Sequence, residues 1–327
     1  MKVTKEMLHE DLQSTYTAFS LIPKIFRFKW VIRLLNWLGL KGRKPVELEG
    51  ISVEERHIRS SDGEYDIRLL VFRPEGNSDT LPGMLYIHGG GYIMGDPEQA
   101  KEIVEGFLKA RPCVIVAPDY RKSFTKPFPA GFDDCYDTLE WMKNNGSELN
   151  ILPERLIVAG NSAGGGLTAA VTLKARDTGS VNIAFQMPIY PMIDHTQPSD
   201  PARQISTPIW DTRMNTLGWS SYLADLNASG EAIPSYAAPA RNSDYSGFPP
   251  TITFVGDKEP FFWETGAYVE ALRVAGVEVV YEEFEGCYHA FELLAGNTPV
   301  GQRALAFTYD NFALFYDRYA ADGAAAS

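Results

Sequence analysis

The 327-residue chain is long enough for one large domain or two smaller ones, and its 45% hydrophobic and 22% charged residues exclude a disordered protein. A total of 30 lysines and arginines against 42 acidic residues gives a net charge of −12. This balance argues against a nucleic-acid partner, because phosphate binding needs surplus cations. Three scattered cysteines, Cys113, Cys135 and Cys287, form neither a disulfide framework nor a Cys-x-x-Cys pair, so we expect a reducing, cytoplasmic setting.

The N-terminal part of the chain lacks the features of a membrane span or a secretory signal. No stretch reaches the roughly 18 uninterrupted apolar residues of a span, and the first residues have no apolar core. Residues 19–40 mix aromatic and aliphatic side chains with Lys24, Lys29 and Arg33. Such a basic amphipathic helix either lies on an anionic membrane surface or packs over the protein's own pocket. We favour the second interpretation and expect residues 1–48 to form an N-terminal cap segment.

From about residue 50 onward, short β-rich runs alternate with longer helical patterns. Several runs are almost continuously apolar, which is typical of strands covered on both faces, and the alternation predicts a doubly wound, mostly parallel sheet of the α/β class. Ligands bind beyond the carboxyl ends of such strands. The predicted strands are 67–74, 83–88, 113–120, 155–160, 183–191, 251–256 and 277–284, and the predicted helices are 97–110, 132–145, 166–177 and 263–275.

One segment, 192–235, interrupts this alternation and contains Trp210, Trp219 and Tyr222. A connection of this length is usually functional, so we expect it to form a second cap, inserted into a core domain of residues 49–327. The last predicted strand is a candidate sheet edge. It either pairs in a homodimer or is protected from pairing by its own glutamates.

The run Gly160-Asn161-Ser162-Ala163-Gly164 follows an apolar predicted strand and opens a helix of small residues. It matches Gly-x-Ser-x-Gly, the sharp strand-to-helix turn that exposes a nucleophilic serine oxygen. Glycines flank the serine because a β-carbon there would clash with the neighbouring strand and helix. A glycine-rich turn without chemistry is the alternative, and the strand before Ser162 and the helix after it favour a nucleophile.

A second glycine-rich turn, His88-Gly89-Gly90-Gly91, follows the second predicted strand. Its glycines allow backbone N–H groups to converge on one point, where they would stabilise a developing oxyanion. A phosphate cradle is the alternative, but no Gly-Lys-Ser/Thr run accompanies the turn. We interpret His88 as a structural hydrogen-bonding residue of this loop and not as the catalytic base.

A serine nucleophile needs a base, and only His195 and His289 follow Ser162, as the serine–acid–histidine order of this turn requires. His289 comes after the last predicted strand, at the carboxyl-end side of the sheet, and is the predicted base. His195, at the start of the inserted segment, is interpreted as incidental. The acid should follow the strand at 251–256, where both Asp257 and Glu259 occur, and spacing alone does not choose between them.

Together these motifs resemble the hormone-sensitive-lipase-like esterases of the α/β-hydrolase superfamily, over residues 81–294. The resemblance implies an α/β-hydrolase fold of about eight strands with a helical cap, and an oxyanion hole built from the amides of Gly90, Gly91 and Ala163. The family's aspartate position falls on Glu259, and Asn161 also stands where aspartate is common. The motifs that carry the resemblance are HGGGY at 88–92, DYR at 119–121, GNSAGGG at 160–166, TPIWDTRMNTLGWSSYL at 207–223, KEPFFWET at 258–265 and CYHAFE at 287–292.

The sequence thus predicts a serine carboxylic-ester hydrolase that uses no metal or organic cofactor and acts on a small-molecule ester. The resemblance implies that the substrates are esters of short to medium acyl chains. Ser162 would attack, His289 would act as base, and an acyl-enzyme would form. We favour Glu259 over Asp257 as the acid, because Pro260 promotes an extended conformation at Glu259. Lactone or amide hydrolysis is an alternative. A non-catalytic receptor of the same fold is another, although receptors typically lack the nucleophile or the base.

Overall fold

The computed structural model describes residues 1–26 and 28–321, except for the side chain of Glu102. Its strands are β1 (Ile51–Arg59), β2 (Asp66–Pro74), β3 (Leu81–Ile87), β4 (Val114–Pro118), β5 (Ile151–Asn161), β6 (Ile183–Ile189), β7 (Thr251–Gly256) and β8 (Val279–Phe284). They form one eight-stranded sheet in the order β1-β2-β4-β3-β5-β6-β7-β8. The β1–β2 and β2–β4 pairs are antiparallel, and every other pair is parallel. The predicted mostly parallel, doubly wound sheet is confirmed.

Seven strands lie where the apolar runs predicted them, apart from a few residues at their ends. The eighth, β1, was not among the predicted runs. Its sequence ISVEERHIR mixes charged and apolar residues, and all of its side chains are half-buried or exposed. It nevertheless pairs with β2 along its whole length, from Ile51 opposite Pro74 to Arg59 opposite Asp66. An exposed edge strand of this kind lacks the apolar run that identifies a central strand.

Helices lie on both faces of the sheet. They are α1 (Tyr16–Phe19), α2 (Ile22–Phe26), α3 (Lys29–Gly42), α4 (Lys101–Ala110), α5 (Ala130–Asn144), α6 (Gly146–Leu149), α7 (Ala163–Thr178), α8 (Thr212–Tyr222), α9 (Ala224–Ser229), α10 (Phe262–Val274), α11 (Phe291–Leu294) and α12 (Pro299–Phe315). Successive strand residues point to opposite faces: Leu85 and Ile87 enter the core under α5 and α7, and Met84 and Tyr86 enter the core under α4 and α12.

The N-terminal residues 19–40 do not form one continuous helix. Phe28, with φ −93° and ψ 113°, is extended and separates α2 from α3. Further upstream, Val3, Leu8 and Leu12 are buried in the core under α12, so the start of the chain is part of the hydrophobic core. Among the residues that the structure describes, no helix has the length and apolarity needed to cross a bilayer.

Candidate active site

Ser162 lies at the turn between β5 and α7, and its backbone (φ 59°, ψ −122°) has a conformation that L-residues rarely adopt. Hydrogen bonds hold this turn in place: the Ser162 N–H donates to the Ile189 carbonyl at 3.0 Å, and the Ser162 carbonyl accepts from the Gly166 N–H at 2.9 Å. A Cβ on Gly164 would lie 2.0 Å from the Ile87 carbonyl oxygen, so this position requires glycine. The strained turn therefore projects the serine beyond the carboxyl ends of the strands.

His289 links the serine to a carboxylate. Its Nε2 lies 2.9 Å from Ser162 Oγ, and its Nδ1 is hydrogen-bonded to Glu259 Oε2. An ionised carboxylate only accepts, so Nδ1 carries the proton, Nε2 presents its lone pair, and the serine hydroxyl donates to Nε2. The exposed fractions of Ser162, His289 and Glu259 are 5%, 4% and 0%. The fold thus brings the predicted nucleophile, the predicted base and one of the two candidate acids into one buried chain of hydrogen bonds.

The two candidate acids have different partners. Glu259 bonds His289 with one oxygen, and with the other it accepts the Gly256 N–H at 3.0 Å, which orients the carboxylate. Asp257 accepts the Gly286 N–H at 2.6 Å and forms an ion pair with Lys258. The structure therefore places Glu259 at the histidine and Asp257 in the neighbouring turn.

The second glycine-rich turn lies beside the nucleophile, since a Cβ on Gly89 would be 3.4 Å from Ser162 Cβ. Gly90 and Gly91 have φ of 119° and 59°, a region that favours glycine. Ala163 is the first residue of α7, so its N–H has no partner within the helix. Within residues 1–26 and 28–321, no backbone carbonyl accepts from the N–H groups of Gly90, Gly91 or Ala163. These three donors are therefore available to a ligand.

The side chain of His88 holds this loop in place by ring stacking and a hydrogen bond. Its buried ring stacks on Tyr120 at a centroid distance of 4.4 Å, and its Nδ1 lies 2.7 Å from the Gly89 carbonyl oxygen. Burial lowers the pKa of His88 to about 3. The ring is therefore neutral at physiological pH, and its Nδ1–H donates to the Gly89 carbonyl.

The segment 192–235 covers residues 88–92, which we call the oxyanion loop because they include two of the predicted oxyanion donors. A Cβ on Gly91 would lie only 2.1 Å from the ring of Trp210, so the indole is packed directly on this glycine. Ile209, just before it, has φ 67°, which is costly for a β-branched residue. The Thr207 hydroxyl donates to the Lys258 carbonyl at 2.6 Å and ties the segment to the loop after β7. Trp210 therefore forms one wall above the proposed oxyanion donors.

An aromatic cluster joins the oxyanion loop to α8. Tyr92 stacks on Tyr222 at 4.0 Å between ring centroids and also contacts Trp219 at 5.5 Å. Its hydroxyl donates to the Met192 carbonyl at 2.6 Å. His195 lies against Trp219, with ring centroids 6.2 Å apart, and burial lowers its pKa. The structure thus places His195 in the wall of the insertion and His289 at the serine.

A buried polar network beneath the serine was not identified from the sequence. Tyr190 donates its hydroxyl to Glu292, Asn161 Nδ2 lies 3.4 Å from the Tyr190 oxygen, and Tyr86 donates to Asn161 Oδ1 at 3.2 Å. The Tyr190 ring meets His289 edge-on at 4.8 Å. Burial raises the pKa of Glu292 to about 8, so this carboxyl keeps its proton at neutral pH. The one sign of this network in the sequence is Glu292, a glutamate within the apolar run CYHAFE.

Comparison with known proteins agrees with this geometry. A family model described as alpha/beta hydrolase fold matches residues 84–293. The carboxylesterase NlhH of Mycobacterium tuberculosis is 32% identical to the chain over 263 residues, which are 80% of this chain and 82% of the relative.

Solved structures show the same architecture over nearly the whole chain. A bacterial heroin esterase superposes with a TM-score of 0.83 at 27% identity, covering 96% of this chain and 99% of the other. Brefeldin A esterase, described as a bacterial homologue of human hormone-sensitive lipase, has a TM-score of 0.77 at 20% identity and covers 95% of each chain, which shows the common fold. The family match, the relative and the sheet order lead to one conclusion: the chain belongs to the α/β-hydrolase fold family.

Proposed function

We propose that the chain is a carboxylesterase that hydrolyses small-molecule esters of short to medium acyl chains through a Ser162–His289–Glu259 triad. The observation that carries this proposal is the continuous hydrogen-bond chain from Ser162 Oγ through both ring nitrogens of His289 to Glu259. The carboxylesterase of Mycobacterium tuberculosis and the other esterases among the relatives support the same activity.

In the first step Ser162 Oγ attacks the ester carbonyl carbon while its proton passes to His289 Nε2 over the 2.9 Å hydrogen bond. The imidazole becomes positively charged, and Glu259, bonded to its Nδ1–H, stabilises that charge and holds the ring in orientation. Buried surroundings strengthen this interaction, because little water screens the two groups.

The carbonyl oxygen becomes an oxyanion in the same step. The N–H groups of Gly90, Gly91 and Ala163 are the donors that receive it, each worth about 3 kcal/mol when preorganised. Collapse of the tetrahedral intermediate breaks the ester C–O bond, and His289 returns its proton to the departing alkoxide, which leaves as an alcohol. Water then attacks the acyl-Ser162 ester by the same route and releases the carboxylic acid.

The alternative of a non-catalytic receptor is not favoured, because all three triad positions are occupied and in contact. Cys113, Cys135 and Cys287 are free and buried thiols. Unpaired cysteines are typical of a reducing compartment, which supports the proposed cytoplasmic location.

The test is Ser162→Ala, assayed with a short p-nitrophenyl ester. The substitution keeps the Cβ and the backbone, so the protein should fold while turnover falls about a thousandfold or more. Ser220→Ala is the control, because Ser220 is an exposed α8 residue that bonds only its own helix at Leu217. A fluorophosphonate should label Ser162 covalently in the wild type and in Ser220→Ala. Retention of more than about a tenth of the rate in Ser162→Ala would show that the mechanism is wrong.

A further inference from the structure

The outward face of α3 is unusually apolar. Trp30, Leu34 and Trp37 recur at i, i+4 and i+7 and form a stripe on one face of the helix, and all three side chains are exposed, Trp30 by 65%. The opposite face, with Ile32 and Asn36, packs on the protein: Ile32 is fully buried. A helix that merely covers a core turns its polar side to solvent, whereas α3 turns its largest apolar side chains outward.

Exposed apolar side chains concentrate in this part of the molecule. Among the described residues, 13 large hydrophobic side chains are exposed, and ten of them lie within residues 1–40. Only Val274, Leu294 and Leu314 lie elsewhere. A contiguous apolar patch of this kind marks an interaction site, while single exposed side chains do not. We call the exposed side chains Ile25, Trp30, Leu34, Trp37, Leu38 and Leu40 the α2–α3 surface.

Positive charge accompanies the α2–α3 surface, in a chain whose net charge is −12. Residues 19–44 contain seven lysines and arginines and no acidic residue. Lys41 Nζ lies 4.1 Å from the centroid of the Trp37 ring, which places a cation beside the apolar stripe. Among the residues of this stretch that the structure describes, the cations with exposed side chains are Lys24, Lys29, Arg33, Lys41 and Lys44.

We propose that the α2–α3 surface docks on an anionic lipid bilayer, with its apolar side chains in the headgroup–acyl boundary and its cations against lipid phosphates. An anionic bilayer offers burial for the apolar side chains and attraction for the cations on the same surface. A second copy of this chain fits less well, because a symmetric contact through α3 would bring these cations face to face. α3, with 14 residues, would lie in the plane of the interface and would not cross the bilayer.

The opposite face of α3 and the preceding helix α1 contact the two sides of the candidate active site. Asn36 Nδ2 donates to the Ile93 carbonyl at 2.9 Å, and the Ile93 N–H donates to Gly90 of the oxyanion loop at 3.1 Å. On the other side, the Phe19 ring packs edge-on against Tyr288, the residue before His289, at 5.8 Å. Docking would therefore hold the site close to esters dissolved in the membrane. That consequence rests on the proposed esterase function, whereas docking itself does not.

The experiment is co-sedimentation of the full chain with vesicles of phosphatidylcholine alone or mixed in equal parts with phosphatidylglycerol. We expect binding to the anionic vesicles and release at about 1 M salt, where the Debye length is about 3 Å. Trp30→Ser with Trp37→Ser should weaken this binding at least about tenfold. The matched control is Val274→Ser with Leu314→Ser, which removes two exposed apolar side chains from outside the surface and should bind like the wild type.

Lys29→Gln with Arg33→Gln and Lys41→Gln should weaken binding to anionic vesicles and leave the apolar stripe in place. Hydrolysis of a water-soluble short ester should be unchanged in every variant, which shows that each has folded and separates failure of docking from failure of the proposed function. The proposal is overturned if the wild type pellets with neither vesicle, or if the control pair weakens binding as much as the tryptophan pair. A dimer that the tryptophan substitutions dissociate, without vesicle binding, would assign the surface to a second copy.

Discussion

At the scale of single residues, Asp257 and Glu259 allow a matched test of which carboxylate orients the His289 ring. Glu259→Gln is nearly isosteric but loses the charge that stabilises the imidazolium, so kcat should fall by about three to four orders of magnitude with little change in KM. Asp257→Asn keeps an oxygen that can accept the Gly286 N–H, so its effect should be mild. Steady-state kinetics on a short p-nitrophenyl ester measures both. The reverse ranking would move the acid to Asp257.

Glu292 makes stability depend on pH. Burial raises its pKa from 4.5 to about 8, so between these values the folded protein holds a proton that the unfolded chain has lost. The contribution of this proton to the free energy of unfolding is fully present below about pH 4.5 and is lost as the pH rises toward 8. Glu292→Gln mimics the protonated form at every pH. The melting temperature of this variant minus that of the wild type should therefore increase from pH 5 to pH 8. Glu231→Gln, at an exposed glutamate, is the control. If the difference in melting temperature between Glu292→Gln and the wild type stayed constant with pH, this would contradict a raised pKa of Glu292.

At the scale of elements, the oxyanion loop and the inserted segment meet at Gly91. Gly91→Ala combines a positive φ of 59° with a Cβ that would lie 2.1 Å from Trp210, so it should displace the loop or the indole and lower kcat/KM by about a hundredfold or more. Gly179→Ala is the control for backbone strain alone, because Gly179 has φ 62° at the end of α7 and no atom near its added Cβ. It should cost about 1 kcal/mol of stability and leave the kinetics unchanged. Equal kinetics in both variants would contradict contact between Trp210 and the loop.

The elements that the sequence predicted are those whose pattern is local. Continuous apolar runs identified the central strands, and the Gly-x-Ser-x-Gly turn and chain order pointed to Ser162 and His289. β1 was missed because it lies at an exposed edge of the sheet, and its mixture of charged and apolar residues contains no continuous apolar run. The helix α12 was also absent from the predicted helices, although Thr298 caps its N-terminus and Pro299 opens it.

Contacts between distant parts of the chain could not be predicted in this way. Glu292 meets Tyr190 across 102 positions, and Trp210, which lies in the segment that interrupts the strand–helix alternation, meets Gly91 of the second glycine-rich turn. No local rule reports which side chains a fold brings together at such separations. The choice of Glu259 over Asp257 was open from spacing for the same reason, since it depends on where the loop after β8 places His289.

At the scale of the whole molecule, β1 and β8 are the two edges of the sheet. Glu283 on β8 is exposed, and Glu282 forms an ion pair with Arg303 at 3.4 Å. Charged side chains on an edge strand oppose pairing with another copy. Homodimer formation through β8 stays a prediction, and sedimentation velocity at several protein concentrations would measure it.

Residues near the N-terminus bind the region of Gly286 and Val300, which separates the roles of two parts of the N-terminal segment. The His9 N–H donates to the Gly286 carbonyl at 2.9 Å, and Asp11 accepts the Val300 N–H at 3.0 Å, so residues near Leu12 are bound to the C-terminal region. Leu12 is fully buried, whereas Leu38 in α3 is 48% exposed.

Leu12→Ala should therefore lower the free energy of unfolding by about 2–5 kcal/mol, because it removes buried methyl groups and leaves a cavity in the core. Leu38→Ala should change that free energy by less than about 0.5 kcal/mol, because its side chain already faces water. Urea unfolding of the two variants and the wild type, followed by tryptophan fluorescence, measures both differences. Similar losses in the two variants would mean that the Leu38 side chain also contributes to the core. A loss confined to Leu12→Ala would show that the fold does not depend on the apolar side chain that α3 exposes at Leu38.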